Sequence, residues 1–330
     1  KKVLILGSSG FIGGALVKKM YEQKFDISVV LRDLSKAGYI SIFKHVNIKY
    51  FGLDDSFKLE KEIERNDIII NCIHDFGNQK FNLKLLKTIC NAAVGTKKKL
   101  VHISTISSYQ PFINKKEINE NTKLEKKTFQ YAKNKNEIDV LIENYQNFNY
   151  LIIQPTIVYG KYSKPWTEKI INQLSVGKMI IPKDAGNCNL IHVDDLCELI
   201  VRVAQRGRRA TFADKHEVLS GDGIYFGVCD EAPTYARLGS ILKNLLGKRG
   251  ARQATIPSPI SWMAGLIAEV IARMRGKQVS FNLDKVREAV ADSWECSVEN
   301  VINDLDYEFP IRLEERLQQT IDWYRLNDWI

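Results

Sequence analysis

The chain opens, after Lys1, with "KVLILGSSGFIGGALVKKMYEQ": a short run of five residues, four of them apolar, a turn with glycine at every third position, and a stretch with helical periodicity. No other feature limits the fold so strongly. The run KVLIL is long enough for a buried strand and too short for a buried helix. Gly7, Gly10 and Gly13 are spaced Gly-x-x-Gly-x-x-Gly, with Ser9, Phe11 and Ile12 between them. Glycine allows a tight turn there and lets backbone N–H groups approach a phosphate at the positive end of the following helix.

The same alternation then recurs. ISVVLR, VNIKYFGL, DIIINCI, KKLVHIS and YLIIQPTIVYG read as five further strands, separated by helix-like segments such as FNLKLLKTICNAA. Strands alternating with helices need right-handed crossovers and a parallel sheet covered on both faces. The expected fold class is therefore α/β, a Rossmann-type doubly wound parallel sheet. Beyond about residue 210 the pattern is mainly helical, with a short strand such as HEVLS. The expected division is a dinucleotide-binding domain over 1–212, with 161–188 contributing in part to a second lobe, and a smaller substrate lobe over 213–330.

Composition narrows the function classes. No uncharged apolar run reaches the roughly 18 residues that a membrane-spanning helix requires. The opening KKVLILG is too short to act as a secretion signal, so none is expected. Six cysteines lie scattered without a Cys-x-x-Cys pair, and five histidines form no ligand array. That spacing argues against zinc and against a disulfide framework, and for a reducing, cytoplasmic setting. The net charge of +9 comes largely from lysines in runs such as NKKEINENTKLEKK, which suit solvated helix faces. No basic motif interleaved with aromatics marks a nucleic-acid module, so the expected partner is a small molecule.

In such a sheet, ligands bind outside the carboxyl ends of the strands. The second strand ends at Leu31–Arg32. An arginine there suits a 2′-phosphate, so NADP is the expected cofactor, with Lys36 as a second contact. Asp33 keeps NAD as the alternative, because a one-residue change in register would present a carboxylate. Asp54, just past the third strand, is a candidate for the adenine edge. Ser104 and Thr105 stand at the end of the fifth strand. Tyr131 and Lys135 follow in a helix predicted over 125–146, one turn apart on one face. In a chain with 13 tyrosines and abundant lysine, this spacing arises about once by chance. Its position downstream of Thr105 and of the glycine turn gives it weight.

Over nearly its whole length the chain resembles the extended branch of the short-chain dehydrogenase/reductase superfamily, the epimerase/dehydratase family. The resemblance rests on GSSGFIG, HISTISSY, YAKNK, QPTIVYG, LIHVDDLCELI and the tail LDYEFPIRLEERLQQTIDWYRLNDWI, in that order. It implies Thr105 as the catalytic hydroxyl, four residues before Tyr109, with Ser104 the second candidate. Tyr131 becomes the general acid/base, and Lys135 the residue that holds the nicotinamide ribose and favours the phenolate. Pro155, Thr156 and Val158 match the segment beside the nicotinamide. The strand-end residues Leu53, Cys72, Ile73 and Ile103 complete the expected cofactor contacts.

The resemblance implies hydride transfer between NADP(H) and a secondary ketone or alcohol. Nucleotide-sugar members carry an Arg-Asp pair shortly before Val-Asp-Asp, where this chain has Cys188 and Asn189. That departure favours an apolar substrate, lipid-, steroid- or polyketide-like. A nucleotide-sugar epimerase or dehydratase with tightly bound NAD is the alternative, and a non-catalytic NADP-binding subunit a third reading. His192, Asp194 and Asp195 are expected to be structural. The stretch ISWMAGLIAEVIARM reads as a core helix, a wall for an apolar substrate, or a peripheral membrane contact over 258–277 with Arg273, Arg275 and Lys277 at its edge. A homodimer is the assembly that the superfamily suggests.

Overall fold

The computed structural model describes residues 1–109, 118–119, 122, 130–145, 147–163, 171, 174, 177–183, 185–210, 223–229, 231–275, 286, 295–309 and 311–330. Its centre is a seven-stranded sheet. The strands are β1 (Lys2–Leu6), β2 (Asp26–Leu31), β3 (Asn47–Tyr50), β4 (Ile68–Asn71), β5 (Lys99–Ile103), β6 (Asn149–Pro155) and, after the short strands β7 (Ile157–Tyr159), β8 (Lys178–Pro182) and β9 (Leu190–His192), β10 (Ile224–Gly227). The sheet order is β10-β6-β5-β4-β1-β2-β3, and every neighbouring pair is parallel.

Both faces are buried, which explains why the strands read as continuous apolar runs instead of alternating ones. Successive side chains point to opposite faces. Val3 and Ile5 enter one core, against α1 (Phe11–Glu22) and α5 (Val193–Arg206). Leu4 and Leu6 enter the other, with residues of α2 (Ser56–Glu64), α3 (Gln79–Ala93) and α4 (Gln130–Glu143). The helix expected over 125–146 is described from Gln130, and the strand expected at HEVLS lies outside the described residues.

A third apolar cluster sits apart from the sheet. It gathers Tyr159, Met179, Leu190, Leu238, Leu242, Leu313 and Tyr324. They come from β7–β9, from α6 (Tyr235–Leu245) and from α9 (Leu313–Leu326), beside a two-stranded ladder of β8 with β11 (Arg252–Ile256). The segment after residue 213 therefore serves both regions. β10, buried at all four positions, returns to the edge of the main sheet, and Val301 and Leu305 of α8 (Glu299–Leu305) pack into the first core. No disulfide joins any of the six cysteines. Among the described residues, no helix is long and apolar enough to cross a membrane.

Candidate active site

The turn after β1 is built for close backbone approach. Gly7 has φ +86°, a left-handed conformation that glycine adopts without strain. A Cβ there would lie 3.0 Å from Ile73 Cγ1 and 3.2 Å from the carbonyl carbon of Cys72. The Gly10 N–H donates to the Gly7 carbonyl at 2.9 Å, and a Cβ on Gly13 would overlap that same carbonyl. Gly10 opens α1 with no side-chain cap. The first-turn N–H groups at Phe11 and Ile12 thus carry the helix's positive end to the rim of the sheet, beside the exposed Ser9. This cradle fits a dinucleotide's pyrophosphate.

At the end of β2, Leu31 is buried and Arg32 is exposed. Asp33 is committed to its own turn. Its carboxylate accepts a hydrogen bond from Ser35 Oγ, which holds its pKa below the usual value. Arg32 and Lys36 are therefore the cations presented at this edge, both exposed. Asp54 is exposed beside the half-buried Leu53, and its carbonyl accepts from Lys84 Nζ at 3.1 Å.

The ends of β4 and β5 meet α4. Lys135 is 3 % exposed, and its Nζ donates to the Ile103 carbonyl at 2.9 Å. Burial lowers its pKa to about 8, with Asp139 and Cys72 opposing the shift. One turn before it, the ring of Tyr131 meets His74 edge-on at 5.3 Å and stacks on Phe76 at 5.4 Å. Burial, and then the Lys135 charge, push His74 down to about 4, so it is neutral at physiological pH. Burial pushes the Cys72 thiol up to about 12. The glycine turn touches Cys72 and Ile73, and His74, one residue on, touches Tyr131. These contacts draw the expected residues of β1, β4, β5 and α4 into one region.

The two hydroxyls at the end of β5 have different tasks. Thr105 caps the short 3-10 turn Ile106–Ser108, its Oγ1 accepting from the Ser107 N–H at 3.2 Å. Ser104 Oγ turns inward and donates to Asp139 Oδ2 at 2.5 Å. After β6, Pro155 is buried, while Thr156 and Val158 are half-buried. Thr156 Oγ1 donates to the Gly227 carbonyl at 3.1 Å, tying this segment to β10.

Three residues of this region escaped the sequence reading. Asp139 could have been found, since it lies four residues after Lys135 and eight after Tyr131 on the same helical face. His74 and Phe76 carry no periodic signal, because they belong to the loop between β4 and α3.

On the far side, Cys188 and Asn189 are buried, and Cys188 Sγ donates to the Pro233 carbonyl at 3.3 Å. Neither offers a cation to a diphosphate. His192 Nδ1 accepts from the Asp194 N–H at 3.2 Å and caps α5, while burial lowers its pKa to about 4. Arg316 Nε donates to Asp195 Oδ2 at 2.9 Å, and its Nη2 donates to Oδ1 of the same carboxylate. Helix α7 (Ser258–Arg275) buries Ser261 and Gly265 but exposes Met263, Leu266, Ile267, Val270 and Met274.

Solved structures share this architecture over full length. A dTDP-glucose 4,6-dehydratase from Streptomyces venezuelae, solved with NAD, superposes with a TM-score of 0.73 at 19 % identity, covering 100 % of this chain and 98 % of that one. A UDP-glucose 4-epimerase from Thermotoga maritima, solved with UDP-glucose, gives 0.71 at 15 % identity, covering 99 % of each chain. A nucleoside-diphosphate-sugar epimerase from Pseudomonas aeruginosa gives 0.74 at 16 %, covering 100 % of this chain and 99 % of that one. At these identities the likeness establishes the fold. Comparison with curated proteins returned no match. The sequence profile of the NAD dependent epimerase/dehydratase family matches residues 3–213, the stretch that carries the glycine turn, Tyr131 and Lys135, and the chain belongs to that family.

Proposed function

We propose that this protein is an oxidoreductase that moves hydride between NADP(H) and a secondary ketone or alcohol on an apolar small molecule. The observation that carries the reading is the gathering of Tyr131 and Lys135 with the ends of β1, β4 and β5, beside a cradle that fits a pyrophosphate. The first-turn N–H groups of α1 would hold the phosphates, and Arg32 with Lys36 the 2′-phosphate. The bound dinucleotide supplies or accepts the hydride. Tyr131 holds the proton that passes to or from the substrate oxygen, and the Lys135 ammonium favours the phenolate form. Thr105 is the hydroxyl that orients that oxygen.

The exposed ring of Phe76 against Tyr131 supports an apolar substrate, as does the lack of a cation at Cys188 and Asn189. The uncovered apolar stripe of α7 supports an anionic lipid surface as the partner of 258–277, with Arg273, Arg275 and Lys277 in the sequence supplying charge. In flotation, the protein is expected to follow phosphatidylglycerol vesicles and to leave phosphatidylcholine vesicles unbound. Loss of that binding in Met263→Glu supports the contact, and equal recovery with both lipids overturns it.

The full-length likeness to nucleotide-sugar enzymes favours a second reading, an epimerase or dehydratase with tightly held NAD. Purified protein separates the two. The first reading expects NADPH-dependent turnover in a screen of apolar ketones. Copurified NAD together with binding of a UDP- or dTDP-sugar would establish the second.

A further inference from the structure

Behind Lys135 lies a second buried ionisable group. Asp139 is fully buried, one turn further along α4. Its Oδ2 accepts from Ser104 Oγ at 2.5 Å, and its Oδ1 stands 3.8 Å from His102 Nε2. An isolated carboxylate is costly in such a place unless a charge or several donors compensate it.

The surroundings identify the compensating charge. Asn71 Oδ1 accepts from the Ile73 N–H at 3.1 Å, which leaves the Asn71 amide nitrogen facing His102 Nδ1 at 3.2 Å. His102 Nδ1 is then an acceptor and its proton sits on Nε2, toward Asp139. Burial drives the His102 pKa well below its usual value, so this ring is neutral. From β6, Gln154 accepts from the Tyr109 hydroxyl at 2.8 Å through its Oε1, and its nearness lowers the Asp139 carboxyl's pKa against the effect of burial. Around Lys135, His74 is neutral and the Cys72 thiol is protonated near neutral pH. Among the described residues of this cluster, Lys135 and Asp139 are the pair able to carry opposite charges. They lie one helical turn apart and are hydrogen-bonded to the neighbouring Ile103 and Ser104, so each charge offsets part of the other's burial.

We propose that Asp139 is a positioning residue: held by Ser104, it is the buried counter-charge of Lys135 and through it sets the acidity of Tyr131. The inference rests on the proposed function. Burial raises Asp139 to about 7 and lowers Lys135 to about 8, so the pair's protonation changes close to neutral pH. Protonation or loss of the carboxylate leaves the ammonium uncompensated in a dry site. Lys135 then gives up its proton more readily, and the Tyr131 phenolate loses its cation. The Ser104 hydroxyl is occupied by Asp139, which leaves Thr105 as the hydroxyl for substrate.

The test reads Tyr131 directly, without cofactor. Phenolate absorbance is titrated with pH in wild type and in Tyr131→Phe, and the difference gives the midpoint of Tyr131. In Asp139→Asn that midpoint is expected to rise by about one pH unit or more. In Ser104→Ala, where the carboxylate loses its hydroxyl donor, it rises by less. Asp139→Glu moves it back toward wild type. An unchanged midpoint in Asp139→Asn overturns the proposal, and if that variant does not fold, an unchanged midpoint in Ser104→Ala does. The two readings fail separately. Turnover lost in Tyr131→Phe with no shift in the other variants removes the role of Asp139 alone. A shift accompanied by full turnover in Tyr131→Phe removes the catalytic reading and leaves the coupling standing.

Discussion

Phe76 lies nearly parallel to Tyr131, with ring centroids 5.4 Å apart, planes 26° apart, and 69 % of its own surface exposed. A large apolar side chain left this open is informative when it adjoins a phenol. One side of the Tyr131 phenol is thereby walled by a hydrocarbon surface, which the proposed apolar substrate would share. Phe76→Ala is expected to raise KM for such a substrate about three- to tenfold and to change kcat less, the pattern of a lost ground-state contact. Steady-state kinetics on the best ketone from the screen measures it, and a fall in kcat with unchanged KM would contradict the assignment.

Tyr131→Phe keeps the ring that packs on Phe76 and His74 and removes only the hydroxyl. Turnover is expected to fall about 10²–10⁴-fold, the usual worth of a positioned proton donor. Cofactor titration followed by nicotinamide fluorescence should give the wild-type affinity. Retained turnover would mean that the proton comes from elsewhere.

Arg32 stands exposed while Ser35 holds Asp33. Arg32→Ala is therefore expected to weaken NADPH binding about tenfold and to leave NADH binding unchanged, because only the phosphorylated ribose loses a charge-assisted partner. Calorimetric titration of both cofactors checks this. Wild-type preference for NADH would reverse the cofactor assignment.

Arg316 and Asp195 join α9 to α5 with side chains only 13 % and 15 % exposed. Arg316→Ala leaves the carboxylate without its guanidinium. The expected loss is roughly 2–3 kcal/mol, below that of a fully buried pair because water reaches these groups in part. Urea unfolding measures it, and a change below about 0.5 kcal/mol, the range of ordinary surface substitutions, would show that the pair contributes little.

Much of this architecture was written in the sequence, and the reason is periodicity. KVLIL and DIIINCI are mostly apolar because both faces of their strands are covered, and each became a strand of the parallel sheet, whereas YLIIQPTIVYG, expected as one strand, divides into β6 in that sheet and β7, which pairs with β9. The glycine turn was legible because Gly7 and Gly13 answer to steric demands that only glycine meets. Tyr131 and Lys135 were legible from helical spacing combined with order along the chain. Phe76 and His74 were not, because a loop has no period and their contact with Tyr131 joins segments more than fifty residues apart. The four-residue strand IYFG went unnoticed for a related reason. It is a short apolar run in a stretch that otherwise reads as helical, and only pairing with β6 identifies it.

The hydroxyl of Tyr324 donates to the carbonyl of Gly160 at 2.9 Å across a sequence separation of 164. During synthesis, the parallel sheet has nearly all its strands long before that phenol leaves the ribosome. The third apolar cluster must wait with Tyr159 and Leu190 uncovered until α9 emerges. A nascent chain stalled between residues 230 and 310 would therefore pair most of its dinucleotide half and still present sticky, unfinished surface, the stage at which chaperones would be expected to engage it.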